Sequence, residues 1–315
     1  MREITIFSGS AHVKLAQEVC DSLHVPLSPS ILQRFSNDCL QVQLEANCRE
    51  SDVFIIQPLA ASVQEHLIEL FLMLDAARGA SAARITAVIP YYAYARSDKK
   101  DAPRISIGGR LMADLLVTAG ANRVLVMTLH APQVHGFFSV PTDHLNALNI
   151  LSHYFRGRNL HNTVVVSPDL GNAKAASYFA RMLKVPVAAG SKQRLSDDSV
   201  VIEAIVGDVE GKDVIIMDDE ISNGGTILKI LERLREHHIR KVVVACTHGV
   251  FSDKAIARLA AQPDIAEIVT TNTVPIPEEK RLPNMTVLSV APLLAEAIQH
   301  IHDGESVSGL FVNTV

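Results

Sequence analysis

The stretch VIIMDDEISNGGTILKILERL, residues 214–234, decides how the rest of the chain is read. Val214 to Met217 form a short apolar run, rich in β-branched residues, of the kind that fills a buried strand. Asp218, Asp219 and Glu220 follow, and then a small polar loop, Ser222-Asn223-Gly224-Gly225-Thr226. Beyond it, Ile227, Ile230, Leu231 and Leu234 recur at helical spacing, which predicts a helix over 225–238. Strand, acids, glycine loop and helix start together suit a phosphorylated sugar. Gly224 and Gly225 lack a Cβ, so their backbone N–H groups can turn toward an anion. The helix start adds unpaired N–H donors and a partial positive charge. Ser222, Asn223 and Thr226 can add side-chain donors, while the carboxylates can accept from sugar hydroxyls or hold a metal ion. A bare turn would also use two glycines, but it gives no reason for three consecutive acids ending a buried strand.

The same alternation runs through the chain. Strands are expected at 4–7, 53–56, 85–89, 124–127, 164–166, 214–217, 242–246 and 287–290. Helices are expected near 12–23, 62–78, 106–119, 143–155, 172–184, 225–238, 253–261 and 291–303. Strands alternating with helices predict an α/β protein whose mostly parallel sheets are covered by helices. Ligands then belong at the carboxyl ends of the strands. A length of 315 residues suggests two domains. The seam is expected near 139–162, where Pro141 and the polar run RGRNLHN (156–162) interrupt the apolar rhythm, with the boundary close to 146.

Bulk properties exclude several classes. Hydrophobic residues make up 48% and charged residues 20%, enough for sizeable cores under a soluble surface. A net charge of −5 argues against a nucleic-acid partner, so any anion site must be built locally. MREITIFSGS does not read as a signal peptide, and no apolar run approaches a membrane span. Cys20, Cys39, Cys48 and Cys246 are scattered without a CxxC pair, as expected of reduced thiols in a cytoplasmic protein.

Four further segments carry chemistry. PYYAYARSDKKDAPR (90–104) sets Tyr91, Tyr92 and Tyr94 beside Arg96, Lys99, Lys100 and Arg104, a mixture able to stack a base and neutralise a polyphosphate. His130 lies just beyond the expected strand 124–127, where a neutral imidazole can bind the cation that accompanies a nucleotide. Asp169, after strand 164–166, is a second strand-end carboxylate, able to share a metal or to cap a helix. GSKQRLSDDSV (190–200) reads as a mobile loop that points Lys192 and Arg194 the same way if extended, which suits phosphoryl transfer.

Taken together, these segments resemble the ribose-phosphate pyrophosphokinases, also called phosphoribosyl pyrophosphate synthetases. FSGSAHVKLAQEV, RFSNDCLQVQL, DVFIIQ, ITAVIPYYAYARSDKKDAPR, LHAPQVHGFF, VVSPDLG, VGDVEGKDVIIMDDE and ESVSGLF carry the resemblance, in order, over nearly the whole chain. It implies two tandem phosphoribosyltransferase-like, Rossmann-like domains. The first, ATP-side domain is expected to span 1–146 plus 304–315, and the second, ribose-5-phosphate-binding domain 147–303. It implies transfer of pyrophosphate from MgATP to the anomeric hydroxyl of ribose 5-phosphate, with Mg²⁺ as cofactor and a homo-oligomer, usually a hexamer, as assembly. By position, Lys192 and Arg194 would stabilise the transferring group, Arg194 also serving the sugar phosphate. His130 and Asp169 would be associated with magnesium, with His130 also counted as catalytic. Asp218 and Asp219 would hold the ribose hydroxyls and a metal, and Ser222, Asn223, Gly224, Gly225 and Thr226 would cradle the 5-phosphate. Phe35, Asn37, Cys39, Arg96, Ser97, Lys99 and Arg104 would face ATP, and Arg49, Ser306 and Ser308 match a regulatory site.

The chain departs from the family pattern at specific places. The family usually reads Phe-Ser-Asp-Gly-Glu where this chain has Phe35-Ser36-Asn37-Asp38-Cys39, so two nucleotide-facing carboxylates become an amide and a thiol. Ser97 stands for a usual Gln, Thr128 for a usual Asp, and Ser222-Asn223 for Asp-Thr; Asn47 and His135 depart at the regulatory positions. These changes bear on nucleotide selectivity more than on phosphoryl chemistry. They also leave two other readings to test, a weak regulatory paralogue and a phosphoribosyltransferase.

Overall fold

The structure, a computed structural model, describes residues 2–196, 199–252 and 254–310, with side chains described outside 192–203. The described residues divide into two compact units: one built from residues up to 146, 273–275 and 289–310, the other from 147–272 and 276–288.

The first unit contains β1 (Ile4–Ser8), α1 (Val13–Leu23), β2 (Leu27–Ser28), β3 (Ser30–Arg34), β4 (Leu40–Leu44), β5 (Asp52–Ile56), α2 (Val63–Gly79), β6 (Arg84–Ile89), α3 (Gly108–Ala119), β7 (Arg123–Met127) and β8 (Thr142–Leu145). Its sheet has the order β2-β1-β5-β6-β7-β8, with every pair parallel. Strand β5, DVFII, is buried at all five positions, because helices cover both faces and no residue is left to face water. β3 and β4 form a separate antiparallel ribbon, from which Val42 and Leu44 pack onto the core beside α2.

The second unit contains α4 (Leu148–Phe155), β9 (Thr163–Ser167), α5 (Ala173–Leu183), β10 (Val187–Ser196), β11 (Ser199–Val206), β12 (Asp213–Ile221), α6 (Gly225–Arg235), β13 (Val242–Gly249), α7 (Ala255–Ala260), β14 (Ile265–Thr271) and β15 (Met285–Leu288). The order is β11-β10-β9-β12-β13-β14-β15, parallel except for the β10–β11 hairpin. Val164, Val166, Val214 and Ile216 meet Ile227, Ile230, Leu231 and Leu234 of α6 on one face. Val165, Ile215 and Met217 meet Phe179 of α5 and Phe155 of α4 on the other. Alternate residues thus feed two cores, so the strands read as continuous apolar runs.

Helix α8 (Ala291–Asp303) corrects the expected domain boundary, which had kept residues up to 303 in the second domain. It belongs to the first unit, where it packs against α1. Ser289 donates to Glu18 at 2.7 Å, and Arg84 donates to the Ile301 carbonyl at 2.8 Å. Beneath the helix end, nearly inaccessible Asp52 accepts from Arg84 Nε at 2.8 Å and pairs with His302 Nδ1 at 3.0 Å. Asp52→Ala would leave Arg84 without its carboxylate, and removing one partner of a buried pair costs roughly 3–5 kcal/mol. We expect that loss, read in a urea titration, to fall on the first unit.

Three other expectations change. The helix expected over 143–155 begins only at Leu148, because Thr142–Leu145 adds a parallel edge strand beside β7. β14, which was not expected, is inserted between β13 and β15. Its Glu267 breaks the apolar run, yet that side chain is satisfied by Arg158 Nη1 at 2.6 Å and by the Tyr154 hydroxyl. Burial alone would push the Glu267 carboxyl up, but hydrogen bonds from Arg158 and Tyr154 outweigh it and hold it below its ordinary value. A lowered folded pKa contributes stability that is present above the unfolded value of 4.5 and is lost as pH falls through the lower folded value. Glu267→Gln is therefore expected to flatten the acid limb of a stability-versus-pH curve below that point. Lastly, 187–196 and 199–206 pair as a hairpin where a mobile loop was expected, in keeping with the β-branched run Val200-Val201-Ile202.

Candidate active site

In the second unit the strand-loop-helix design is realised with its acids inside the strand. β12 continues to Ile221, so Asp218 and Asp219 lie on its carboxyl end, half-buried, while Glu220 is buried. In a parallel ladder Asp218 sits opposite Cys246 of β13. Burial, the Asp219 charge and its side-chain hydrogen bond push the Asp218 carboxyl well above the ordinary range, and the Asp169 charge adds to this. The Asp219 N–H donates back to Asp218 Oδ1 at 3.0 Å. Beneath them, burial raises the Cys246 thiol to about 12, so it stays protonated and inert. Asp169 lies in the turn after β9, where Ser167 Oγ donates to its carbonyl at 2.6 Å and its Oδ1 accepts from the Asn172 N–H at 3.2 Å. Among the described residues no three Asp, Glu, His or Cys side chains are gathered closely enough to hold a metal ion by themselves, so these carboxylates offer acceptors for sugar hydroxyls and at most part of a cation's oxygen shell.

The loop after β12 opens α6. Gly224 is its N-cap with φ +75°, a left-handed conformation that side chains resist. The first N–H groups of the 11-residue helix have no intrahelical acceptor, which makes this end an anion cradle. One of them is already engaged, since Gly225 N–H donates to Asn223 Oδ1 at 2.9 Å. An entering phosphate would replace that carboxamide oxygen. Two residues the sequence did not single out brace the loop. Ser222 Oγ and Ser252 Oγ lie 3.1 Å apart, and Arg258 Nη1 of α7 donates to the Asn223 carbonyl at 3.1 Å. Their signal lies in spatial neighbours 30 and 35 residues away, which no local motif reveals.

Lys192 and Arg194 have their backbone in β10, opposite Ile202 and Val200. Their side chains lie outside the described ones.

In the first unit, Phe35 and Cys39 close the β3–β4 hairpin, with Phe35 N–H donating to the Cys39 carbonyl at 2.9 Å. Both are exposed. The Asn37 side chain accepts from Cys39 N–H at 3.3 Å, a local turn bond. Arg96, Lys99 and Arg104 are exposed on the segment after β6. The structure corrects the stacking expectation for two tyrosines. Tyr91 and Tyr92 are buried, and the Tyr92 hydroxyl, pushed up by burial, donates to the Gly109 carbonyl at 3.0 Å. Tyr94 remains half-buried. The Ser97 hydroxyl accepts from Gly108 N–H at 2.8 Å and so closes the loop onto α3. His130 is exposed beyond β7, after a left-handed Thr128, with the next-door Leu129 N–H held by His144 Nε2 at 2.8 Å. Arg49, Ser306 and Ser308 are exposed in this unit. Among the described residues, no helix is long and apolar enough to cross a membrane.

Comparison with known proteins places this arrangement. Residues 4–120 match the N-terminal domain of ribose phosphate pyrophosphokinase, and residues 196–312 match the phosphoribosyl synthetase-associated domain. A Streptomyces coelicolor relative is 64% identical over 99% of this chain and 98% of its own. A ribose-phosphate pyrophosphokinase of Deinococcus radiodurans is 52% identical, covering 98% of both chains. The crystal structure of phosphoribosylpyrophosphate synthetase from Mycobacterium smegmatis superposes with a TM-score of 0.90 at 41% identity, over 96% of this chain and 100% of that one. On its sequence, its two Rossmann-like sheets and its acid-glycine loop, the chain belongs to the ribose-phosphate pyrophosphokinase family.

Proposed function

We propose that this protein transfers the pyrophosphoryl group of MgATP to the anomeric hydroxyl of ribose 5-phosphate, yielding phosphoribosyl pyrophosphate and AMP. The observation that carries this reading is the second unit's site. There Asp218, crowded by the charges of Asp219 and Asp169, stands one short loop from the N-terminus of α6. Carboxylates for ribose hydroxyls beside an amide cradle for a phosphate make a pocket for a phosphorylated ribose. Mg²⁺ is assigned here through one or two of these carboxylates, the rest of its shell coming from water and the polyphosphate, because a hard cation relieves like charges held together out of water. Bound Mg²⁺ supplies neutralisation of the polyphosphate's charge.

The residue roles follow from that assignment. Asp218 and Asp219 accept from the ribose hydroxyls and, with Asp169, are assigned to a metal ion; His130, in the first unit, is assigned to metal as well. Ser222, Asn223, Gly224, Gly225 and Thr226 hold the 5-phosphate. Lys192 and Arg194 carry the positive charge that meets the transferring group. The first unit is assigned to ATP, through Phe35, Asn37, Cys39, Arg96, Lys99 and Arg104. Ser97 serves it by shaping the loop. Arg49, Ser306 and Ser308 are assigned to regulation, and the assembly to a hexamer measurable by light scattering. Four free cysteines agree with a cytoplasmic setting.

The test is turnover by purified protein with Mg²⁺, ribose 5-phosphate and, in parallel, ATP and other nucleoside triphosphates. Formation of AMP and phosphoribosyl pyrophosphate is expected, and a preference for another donor would locate the effect of Asn37, Cys39 and Ser97. No product would overturn the reading. Transfer to a base without ATP would replace it with a phosphoribosyltransferase, and activity only beside an active synthetase would replace it with a regulatory subunit.

A further inference from the structure

Asn172 occupies the N-cap of α5, yet makes no side-chain capping bond there. At that position an asparagine oxygen normally accepts from the second or third helical N–H, a stabilising local use. Here the carboxamide instead reaches across the sheet, and its Nδ2 lies 3.3 Å from Asp218 Oδ1 and 3.4 Å from the Met217 carbonyl. Its backbone N–H meanwhile donates to Asp169 Oδ1 at 3.2 Å. One residue therefore holds two carboxylates at the carboxyl ends of neighbouring strands, Asp169 in the turn after β9 through its backbone and Asp218 within β12 through its side chain. Gly171 contributes by being small, since a Cβ there would come within 3.1 Å of Asp169 Oδ1.

We infer that Asn172 is a positioning residue that ties Asp169 to Asp218 and so governs how this pair takes up the divalent cation and the ribose hydroxyls assigned to it. The inference rests on the assignment of this site to ribose 5-phosphate and metal. Two like-charged carboxylates left to themselves swing apart. A neutral donor between them opposes that swing without adding a charge that would compete with the cation. Partners of metal ligands that act in this way typically govern affinity by roughly 10–100-fold.

The experiment uses the full chain and Mn²⁺ alone as the spectroscopic probe, titrated by electron paramagnetic resonance. The KM for ribose 5-phosphate is measured alongside. Asn172→Ala is expected to weaken Mn²⁺ binding about tenfold and to raise the sugar's KM by a similar factor, with kcat at saturation little changed. Asn172→Ser retains a capping hydroxyl and the backbone N–H to Asp169, so it guards against a variant that only unfolds α5. It is expected to show the same loss of Mn²⁺ affinity with an unchanged urea midpoint. Unaltered Mn²⁺ binding in both variants, while Asp218→Asn loses it, would overturn the role of Asn172 and leave the site assignment standing. Unaltered binding in Asp218→Asn as well would overturn both.

Discussion

Lys192→Ala is expected to lower kcat by about 10³-fold while changing the KM for ATP by less than about threefold. In pyrophosphoryl transfer the protein has little covalent chemistry to perform, so rate comes from positioning and from charge placed where it develops. A cation that meets the transferring group only as bonds break is felt in kcat and hardly in ground-state affinity. Lys192 suits that role because it lies on the β10–β11 hairpin, two residues from Arg194 and next to Gly190-Ser191, where the ladder shifts register between Ser191 and Lys192. Steady-state kinetics over a range of ATP concentrations checks it. Equal losses in kcat and in ATP affinity would mean that the lysine binds substrate uniformly and is no transition-state contact.

The second large effect is expected at Gly224. Gly224→Val should raise the KM for ribose 5-phosphate by about 30-fold, since a β-branched residue forced to positive φ costs on the order of 1–3 kcal/mol. The loop can escape that strain only by rotating the peptide units that present N–H groups to the phosphate. At φ +75° the position demands glycine, although Leu259 leaves ordinary room for a Cβ at 3.7 Å. Gly225 differs, because a Cβ there would meet only the Asn223 carboxamide, at 3.1 Å, with no positive φ. That side chain can turn away, so Gly225→Val is expected to be several-fold milder. Sugar KM values for the two variants, with ATP saturating, decide the matter. A larger effect at Gly225 would mean that the phosphate is held by the Gly225 amide rather than by loop shape.

Local chemistry made much of this legible. Apolar β-branched runs located the principal parallel strands, and three acids followed by a glycine pair located the turn from β12 into α6, because each signal is contained in a few consecutive residues. Partnerships made across the sheet were not legible. Asn172 meets Asp218 across 46 residues, Ser222 meets Ser252 across 30, and Arg258 supports Asn223 across 35. Each depends on strand order and register, which periodicity does not encode. Tyr91 and Tyr92 misled for a related reason: a tyrosine beside cations is a stacking candidate until packing shows it filling the core.

By itself, the sequence determined two α/β units, the family, and the residue types available for a phosphorylated sugar and a nucleotide. Those follow from side-chain pattern and from motifs that are local in the chain. The tertiary structure alone decided which side chains the fold consumes. Ser97 closes onto Gly108, α8 joins the first unit through Arg84 and Asp52, and Asn172 leaves its cap to hold Asp218. A donor or acceptor serves a substrate only after the backbone's own demands are met, and those demands are set in three dimensions.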